Sequence, residues 1–135
     1  MSLVRSFEIG STALVAQSLR LNTTASNIAN AETTEGPDGR PYRSRQVEFK
    51  TIPFGDAPGQ GVQVSNIIES DAPFRMEFKP GHPKANEAGF VEMPNVNPVE
   101  EMVNMISASR SYQMNIEMMN TTRILMLRTL NLGKN

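Results

Sequence analysis

Apolar residues recur every seven positions at the start of the chain, where Phe7, Leu14, Leu21 and Ile28 fall in line and Leu3, Val4, Val15 and Ala25 share their broad arc of a helical wheel. The pattern predicts an amphipathic helix of about 27 residues, roughly 40 Å long. Between the large residues stand Gly10, Ser11, Gln17, Ser18 and Thr24. A self-standing two-stranded coil would place Leu or Ile there, so this surface suits close approach to several neighbours. Asn27 and Asn30 mark the helix end, because asparagine tolerates a left-handed cap better than most residues.

The closing segment opens on a stronger signal: Asn97 as N-cap, Pro98 at the first helical position and Glu100 three residues after the cap. From there, spacings of three and four link Met102, Met105, Ser109, Tyr112, Ile116, Met119, Arg123, Met126 and Leu130. Seven of these nine are apolar, which predicts a heptad seam, and Gly133 supplies a stop. Met114, Met118, Leu125 and Leu132 form a second stripe on another side of the same helix. Such a helix needs apolar partners in two directions, and one intramolecular neighbour covers only one.

Between the helices the period shortens to two. Val47, Phe49 and Thr51 alternate with Glu48 and Lys50; Val62 and Val64 with Gln63 and Ser65; Phe74, Met76 and Phe78 with Arg75, Glu77 and Lys79. Gly- and Pro-rich stretches at 36–41, 53–61 and 80–89 separate them. The predicted fold is mainly α with a small β region. Long N- and C-terminal helices form a coiled-coil-like pair (residues 1–30 and 98–135, a discontinuous unit), and residues 31–97 supply antiparallel β-hairpins on long loops. Loops of this length are unusual in a compact domain, and neighbouring molecules are expected to order them.

Composition narrows the function. The 135 residues leave little chain for a core once two long helices are drawn. Thirteen basic and 14 acidic residues give a net charge of -1, which offers no footprint for nucleic acid or an anionic membrane. No apolar run approaches the roughly 20 residues needed to cross a bilayer, and Glu8 and Gln17 interrupt the N-terminal one, so neither a secretory signal nor membrane insertion is expected. The absence of cysteine removes disulfide and thiolate chemistry and permits passage between redox compartments.

Candidate chemistry is sparse. His82 is the only histidine and lies between Gly81 and Pro83, as a loop residue would. Asp38, Asp56, Glu69, Asp71 and Glu87 are scattered through turns, and Gly55, Gly59 and Gly61 precede no helix and no Gly-Lys-Ser/Thr. No enzyme, cofactor or metal is expected. The nine methionines fit gap-filling at non-equivalent contacts. Tyr112 and Gln113, in the run SASRSYQMN, fit either a buried tyrosine with a bonded hydroxyl or an intersubunit contact; Asn104, Asn115 and Asn120 raise the same choice.

The motifs at the two ends, AQSLRLNTTASNIANAET (16–33) and EMVNMISASRSYQMNIEMMNTTRILMLRTLNLGK (101–134), resemble bacterial flagellar axial proteins, the rod and hook family. GPDGRPYRSRQVEF (36–49) and PGHPKANEAGFVEMPNVNPVEEM (80–102) are similar to the proximal-rod members of that group. The resemblance implies a structural subunit, exported without a cleaved signal by the flagellar type III apparatus, in a periplasmic helical tube that transmits torque and encloses the export channel. Implied partners are further copies of the chain, the rod proteins FlgB, FlgF and FlgG, and the adaptor FliE. By match to the shared signatures, Asn27, Ile28, Ala29 and Asn30, and Tyr112, Gln113 and Asn115, join the stripe residues Phe7, Leu14, Leu21, Met102, Met105, Ile116, Met119, Met126 and Leu130 as expected assembly contacts. The alternatives are another axial protein, FlgB-like or hook-type, and a cytosolic helical adaptor.

Overall fold

The computed structural model describes residues 2–56 and 58–134. Helix α1 (Leu3–Ala29) is 27 residues long, and α2 (Pro98–Leu132) is 35. Strands β1 (Arg45–Pro53) and β2 (Gln60–Glu69) form one antiparallel hairpin, and β3 (Arg75–Phe78) and β4 (Phe90–Met93) a second. Asn97 caps α2 as its sequence requires, its side-chain oxygen accepting the backbone N–H of Val99 at 3.1 Å and of Glu100 at 3.4 Å. Asn30 closes α1 differently from the expected left-handed cap. At φ -102° it stays on the right-handed side and its Nδ2 donates to the Ser26 carbonyl at 2.9 Å.

The helices pack antiparallel, but through a line displaced from the expected apolar seam. On α2 the line is Glu101, Ala108, Asn115 and Thr122; on α1 it is Gly10, Gln17 and Thr24, and all seven are polar or no larger than alanine. Gly10 sets the separation. A Cβ there would stand 2.7 Å from Met118 Cε and 2.9 Å from Met119 Cγ. Small residues let the backbones close, and the large side chains of both sequence stripes are left on the flanks. Met105, Tyr112, Met119 and Met126 are therefore half-buried, while Met102, Ile116 and Leu130 are exposed. The stripe of α1 behaves alike, with Leu14, Leu21 and Ile28 half-buried and Phe7, Val4 and Val15 exposed.

Gly10 opposite Met118 and Met119, and Asn27 opposite Glu101, share one register, which places Leu3 level with Leu125. The pair is thus flush at the end that carries Asn27. At the other end residues 126–132 run about 10 Å past the start of α1.

The β1–β2 hairpin lies along α1. Val62 N–H donates to Thr12 Oγ1 at 3.1 Å, and the Arg5 guanidinium sits 5.0 Å from the centre of the Phe54 ring. The register slips between Glu48 and Phe49, where Ser65 is the extra residue and its hydroxyl donates to the Glu48 carbonyl. That bulge has a purpose visible in the sequence. Ile67 and Val64 are an odd number of residues apart, and one inserted position brings both onto the face of Val47 and Phe49, as the pairs Val47–Ile67 and Phe49–Val64 show.

β4 carries no clear sequence signal, since four residues, FVEM, give little room for a period to show. Its partner strand and Gly89, at φ +83°, fix it. The loops expected to wait for neighbouring molecules are instead pinned within the subunit. Asn86 Oδ1 accepts from Ala88 and Phe90 N–H, Lys84 N–H donates to His82 Nδ1, and Arg43 reaches the Ser70 carbonyl while stacking 4.4 Å from the Phe74 ring centre.

Among the described residues the buried apolar core is Ala16, Ala31, Val91, Met93, Val96 and Ala108, which is small for two long helices. The packing at the glycines is open to test. Gly10→Ala should leave thermal stability within about 1 kcal/mol, because helix propensity gained offsets the displaced methionine ends, whereas Gly10→Leu should cost about 1–3 kcal/mol by prying the pair apart. Gly61→Ala should cost a similar amount, about 1–3 kcal/mol, since its Cβ would stand 2.9 Å from both the Phe54 ring and Thr12 Oγ1. Urea melts of the three variants measure this.

Candidate assembly surface

The features that bear on assembly are an inner clasp, which fixes the subunit's shape, and the apolar faces it leaves outside. The clasp centres on Asn27, which is 1% exposed. Its Oδ1 accepts the backbone N–H of Arg45 and the hydroxyl of Tyr42, both at 2.9 Å. Its Nδ2 donates to the Arg45 carbonyl at 2.8 Å and to Glu101 Oε2 at 3.0 Å. The carboxamide thus pairs with both polar groups of Arg45, as a neighbouring strand would, and so anchors the first residue of β1 to α1. The same amide reaches the first turn of α2.

A second asparagine continues the network from the other side. Asn95 Oδ1 accepts Ser44 N–H at 2.7 Å, and its Nδ2 donates to the carbonyls of Ser70 at 3.1 Å and Ala72 at 2.9 Å. Ser70 N–H donates to the Ser44 carbonyl at 2.8 Å. Residues 44 and 45 are gripped between the two asparagines, at one of the places where the helices meet the hairpins. Glu101 is buried with Asn27 as its hydrogen-bond donor. Removing that donor would strand a carboxylate away from water.

Asn27, expected among the assembly contacts, is instead buried within the subunit, its carboxamide engaged with Tyr42, Arg45 and Glu101. Asn30 is half-buried and bonded to Ser26 and Thr33, and Asn115 is half-buried with its Nδ2 on the Ser111 carbonyl. Gln113 is exposed, and Tyr112 is half-buried beside a groove that it shares with Leu14, Val15, Ser18, Leu19 and Asn22. The clasp partners Tyr42, Ser44, Asn95 and Glu101 were missed, since nothing in a single sequence pairs residues so far apart.

The outer faces are apolar to an unusual degree. On α2, Val99 is 70% exposed, Val103 61%, Ile106 58%, Met114 69%, Ile124 51% and Leu132 76%. Together with Met102, Met118, Leu125, Leu127 and Leu130 they surround most of the helix. On α1, Val15 and Leu19 floor a groove of about 460 Å³ whose far wall is Ile52, Val62 and Val64 of the hairpin. Monomers seldom expose a contiguous apolar patch beyond about 300–600 Å², and exposed apolar side chains on several sides of one helix favour contact with other molecules. No helix among the described residues is long and apolar enough to cross a membrane. Nor, among them, do three His, Cys, Asp or Glu side chains gather where a metal could sit, and His82 is engaged in its own turn.

Comparison with known proteins decides the lineage. Residues 7–37 match the family model described as flagella basal body rod protein, and residues 87–132 match that of the flagellar basal body rod FlgEFG protein C-terminal. The flagellar basal-body rod protein FlgC of Salmonella typhimurium is 53% identical over 137 residues, an alignment covering 99% of this chain and 100% of the relative. The chain belongs to the FlgC family of flagellar basal-body rod proteins. That of Yersinia enterocolitica is 55% identical with the same coverage, and that of Borreliella burgdorferi 39% identical over 91% of this chain and 92% of its own. Membership of this rod family sets aside the cytosolic adaptor. The two matched regions also bracket the clasp: the first contains Asn27, the second Asn95 and Glu101.

The clasp makes a measurable claim. Glu101→Gln keeps an acceptor for Asn27 and should cost under about 1 kcal/mol, whereas Asn27→Ala leaves several buried groups unpaired and should cost about 2–4 kcal/mol. Asn27→Asp should be at least as damaging, because it turns a donor into a second buried carboxylate beside Glu101. Equilibrium unfolding of the three variants separates these outcomes, and equal stability of Glu101→Gln and Asn27→Asp would refute the assignment.

Proposed function

We propose that this chain is a structural subunit of the flagellar basal-body rod, and that it polymerises through the terminal helix pair. The observation that carries the proposal is the exposed apolar surface of α2, which a single subunit cannot cover. Burying a Leu or Met side chain fully is worth about 1.5–3 kcal/mol, so covering even a few of these faces supplies the driving force for a stable lattice. The contacts proposed are Phe7, Leu14, Leu21, Ile28, Met102, Met105, Tyr112, Gln113, Ile116, Met119, Met126 and Leu130, with the second stripe of Met114, Met118, Leu125 and Leu132.

The finer reading follows the family. Copies of the chain join sibling rod proteins FlgB, FlgF and FlgG and the adaptor FliE in a periplasmic helical tube, reached through the flagellar type III apparatus without a cleaved signal. The helix pairs form the inner layer around the export channel, the hairpins sit outside it, and the tube carries torque. Ordering of the helix ends is completed on assembly, since the end of α2 runs past the start of α1 and, among the described residues, has less of the subunit to pack against.

The test separates folding from assembly. Val103→Asp and Leu125→Asp lie on exposed positions, so both variants should melt within about 0.5 kcal/mol of the parent. In cells lacking the native gene they should restore no motility and yield no rods in purified basal bodies, while the parent restores both. Full motility from both variants would defeat the proposal. Hydrogen exchange adds a second readout: residues 118–132 should exchange fast in the isolated subunit and slowly in the rod.

A further inference from the structure

We infer that the outer face of the β3–β4 hairpin is the receptor for the α2 overhang of a second copy of this chain, an inference that rests on the rod-subunit reading above. The face is built from Met76, Phe78, Phe90 and Glu92, which alternate outward while Val91 and Met93 point to the core. Met76 is 50% exposed and Phe78 62%, a costly arrangement for a subunit on its own.

The patch is held rigid although it is exposed. The Phe78 and Phe90 rings meet edge to face at 5.3 Å. Gly89 has φ +83°, and a Cβ there would stand 2.7 Å from Phe78 Cε2, so only glycine allows the ring to lie where it does. Asn86 ties down the loop between the strands, and the ion pairs Arg75–Glu32, Lys79–Glu32 and Lys84–Glu35 tie the hairpin and its loop to the segment after α1. Preorganised aromatic anchors of this kind lower the ordering cost of docking.

Position and charge identify the occupant. The patch belongs to the flush end of the molecule, joined through Glu32 and Glu35 to the segment that leaves α1. The overhang is at the opposite end, so the two cannot meet within one chain. Residues 118–134 carry Arg123, Arg128 and Lys134 and no acidic side chain. Residues 31–42 and 75–93 carry six acidic residues against four Lys or Arg. On the overhang, Leu125, Arg128 and Leu132 are spaced by three and four and share a face. Those two leucines match the Phe78–Phe90–Met76 surface, and Arg128 between them matches Glu92. A contact joining opposite ends of identical subunits is heterologous, and it builds an open helix where its rotation does not close a ring.

Photocrosslinking tests the pairing in assembled basal bodies. A chain with p-benzoylphenylalanine replacing Phe78 keeps an aromatic ring at that position. After irradiation of rods that contain it, mass spectrometry should find adducts on the 125–132 segment of a second copy. Adducts on another polypeptide or another part of this chain, or none, would overturn the inference. A chain that never enters basal bodies in its parent form would instead overturn the rod reading. Charge reversal is the second arm: Arg128→Glu should lower incorporation about tenfold or more, and Glu92→Arg in the same chain should restore it. Loss without restoration counts against the pairing, with circular dichroism verifying that α2 is retained.

Discussion

One carboxamide holds this subunit in its shape. Asn27 lies where α1, the start of β1 and the first turn of α2 converge, and it meets each with a directional bond. The buried apolar core around them is a handful of small or medium side chains. With hydrophobic burial scarce, orientation comes from polar geometry. A buried amide with its partners in place is strongly directional, because each bond it would lose leaves an unsatisfied group in a medium of low dielectric.

The scarcity of core follows from how the helices meet. Gly10, Thr24, Glu101, Ala108 and Thr122 are buried, so the intramolecular seam consumes small and polar side chains at its centre and leaves leucine and methionine half-buried on its flanks or fully exposed. An ordinary domain distributes its residues the other way. Here the strongest hydrophobic surface is withheld from the subunit's own fold and remains for contacts between molecules. Methionine suits such faces, because an unbranched thioether fits neighbours of different shape.

Much of this was legible in the chain. Cap residues gave the start of α2, and the wheel gave the length of α1. The two-sided stripe of α2 also told correctly that one partner could not cover it. What the wheel left open was which stripe residues meet the other helix. Periodicity reports how many apolar arcs a helix has and cannot say which of them faces its nearest partner; of the seam positions, Met105, Tyr112, Met119 and Met126 are half-buried in the subunit, while Met102, Ile116 and Leu130 are exposed. The clasp was hidden for a different reason. Asn27 and Glu101 are 74 residues apart, and nothing local distinguishes an asparagine that closes a helix from one that bridges three elements. The bulge at Ser65 was readable in principle, from the odd spacing of Val64 and Ile67, but only once the strands were known to pair.

A polar hub and an apolar exterior belong together. If the junction of helices and hairpins were held by hydrophobic contact, it would compete with the outer faces, since one apolar surface is nearly as good a partner as another and the chain could fold with the wrong stripe inside. Hydrogen bonds do not admit that exchange. Val103 or Leu125 turned inward could satisfy neither the Arg45 peptide nor the Glu101 carboxylate, so the clasp selects the one arrangement that presents those residues to other molecules. The stability forgone by placing asparagine and glutamate where leucine could sit is then the condition for having a defined sticky face at all, in the way a buried polar residue fixes register in a coiled coil. The same logic places the clasp at the flush end of the helix pair, next to the body it must orient, and leaves the overhanging end, which needs no internal partner, apolar and basic.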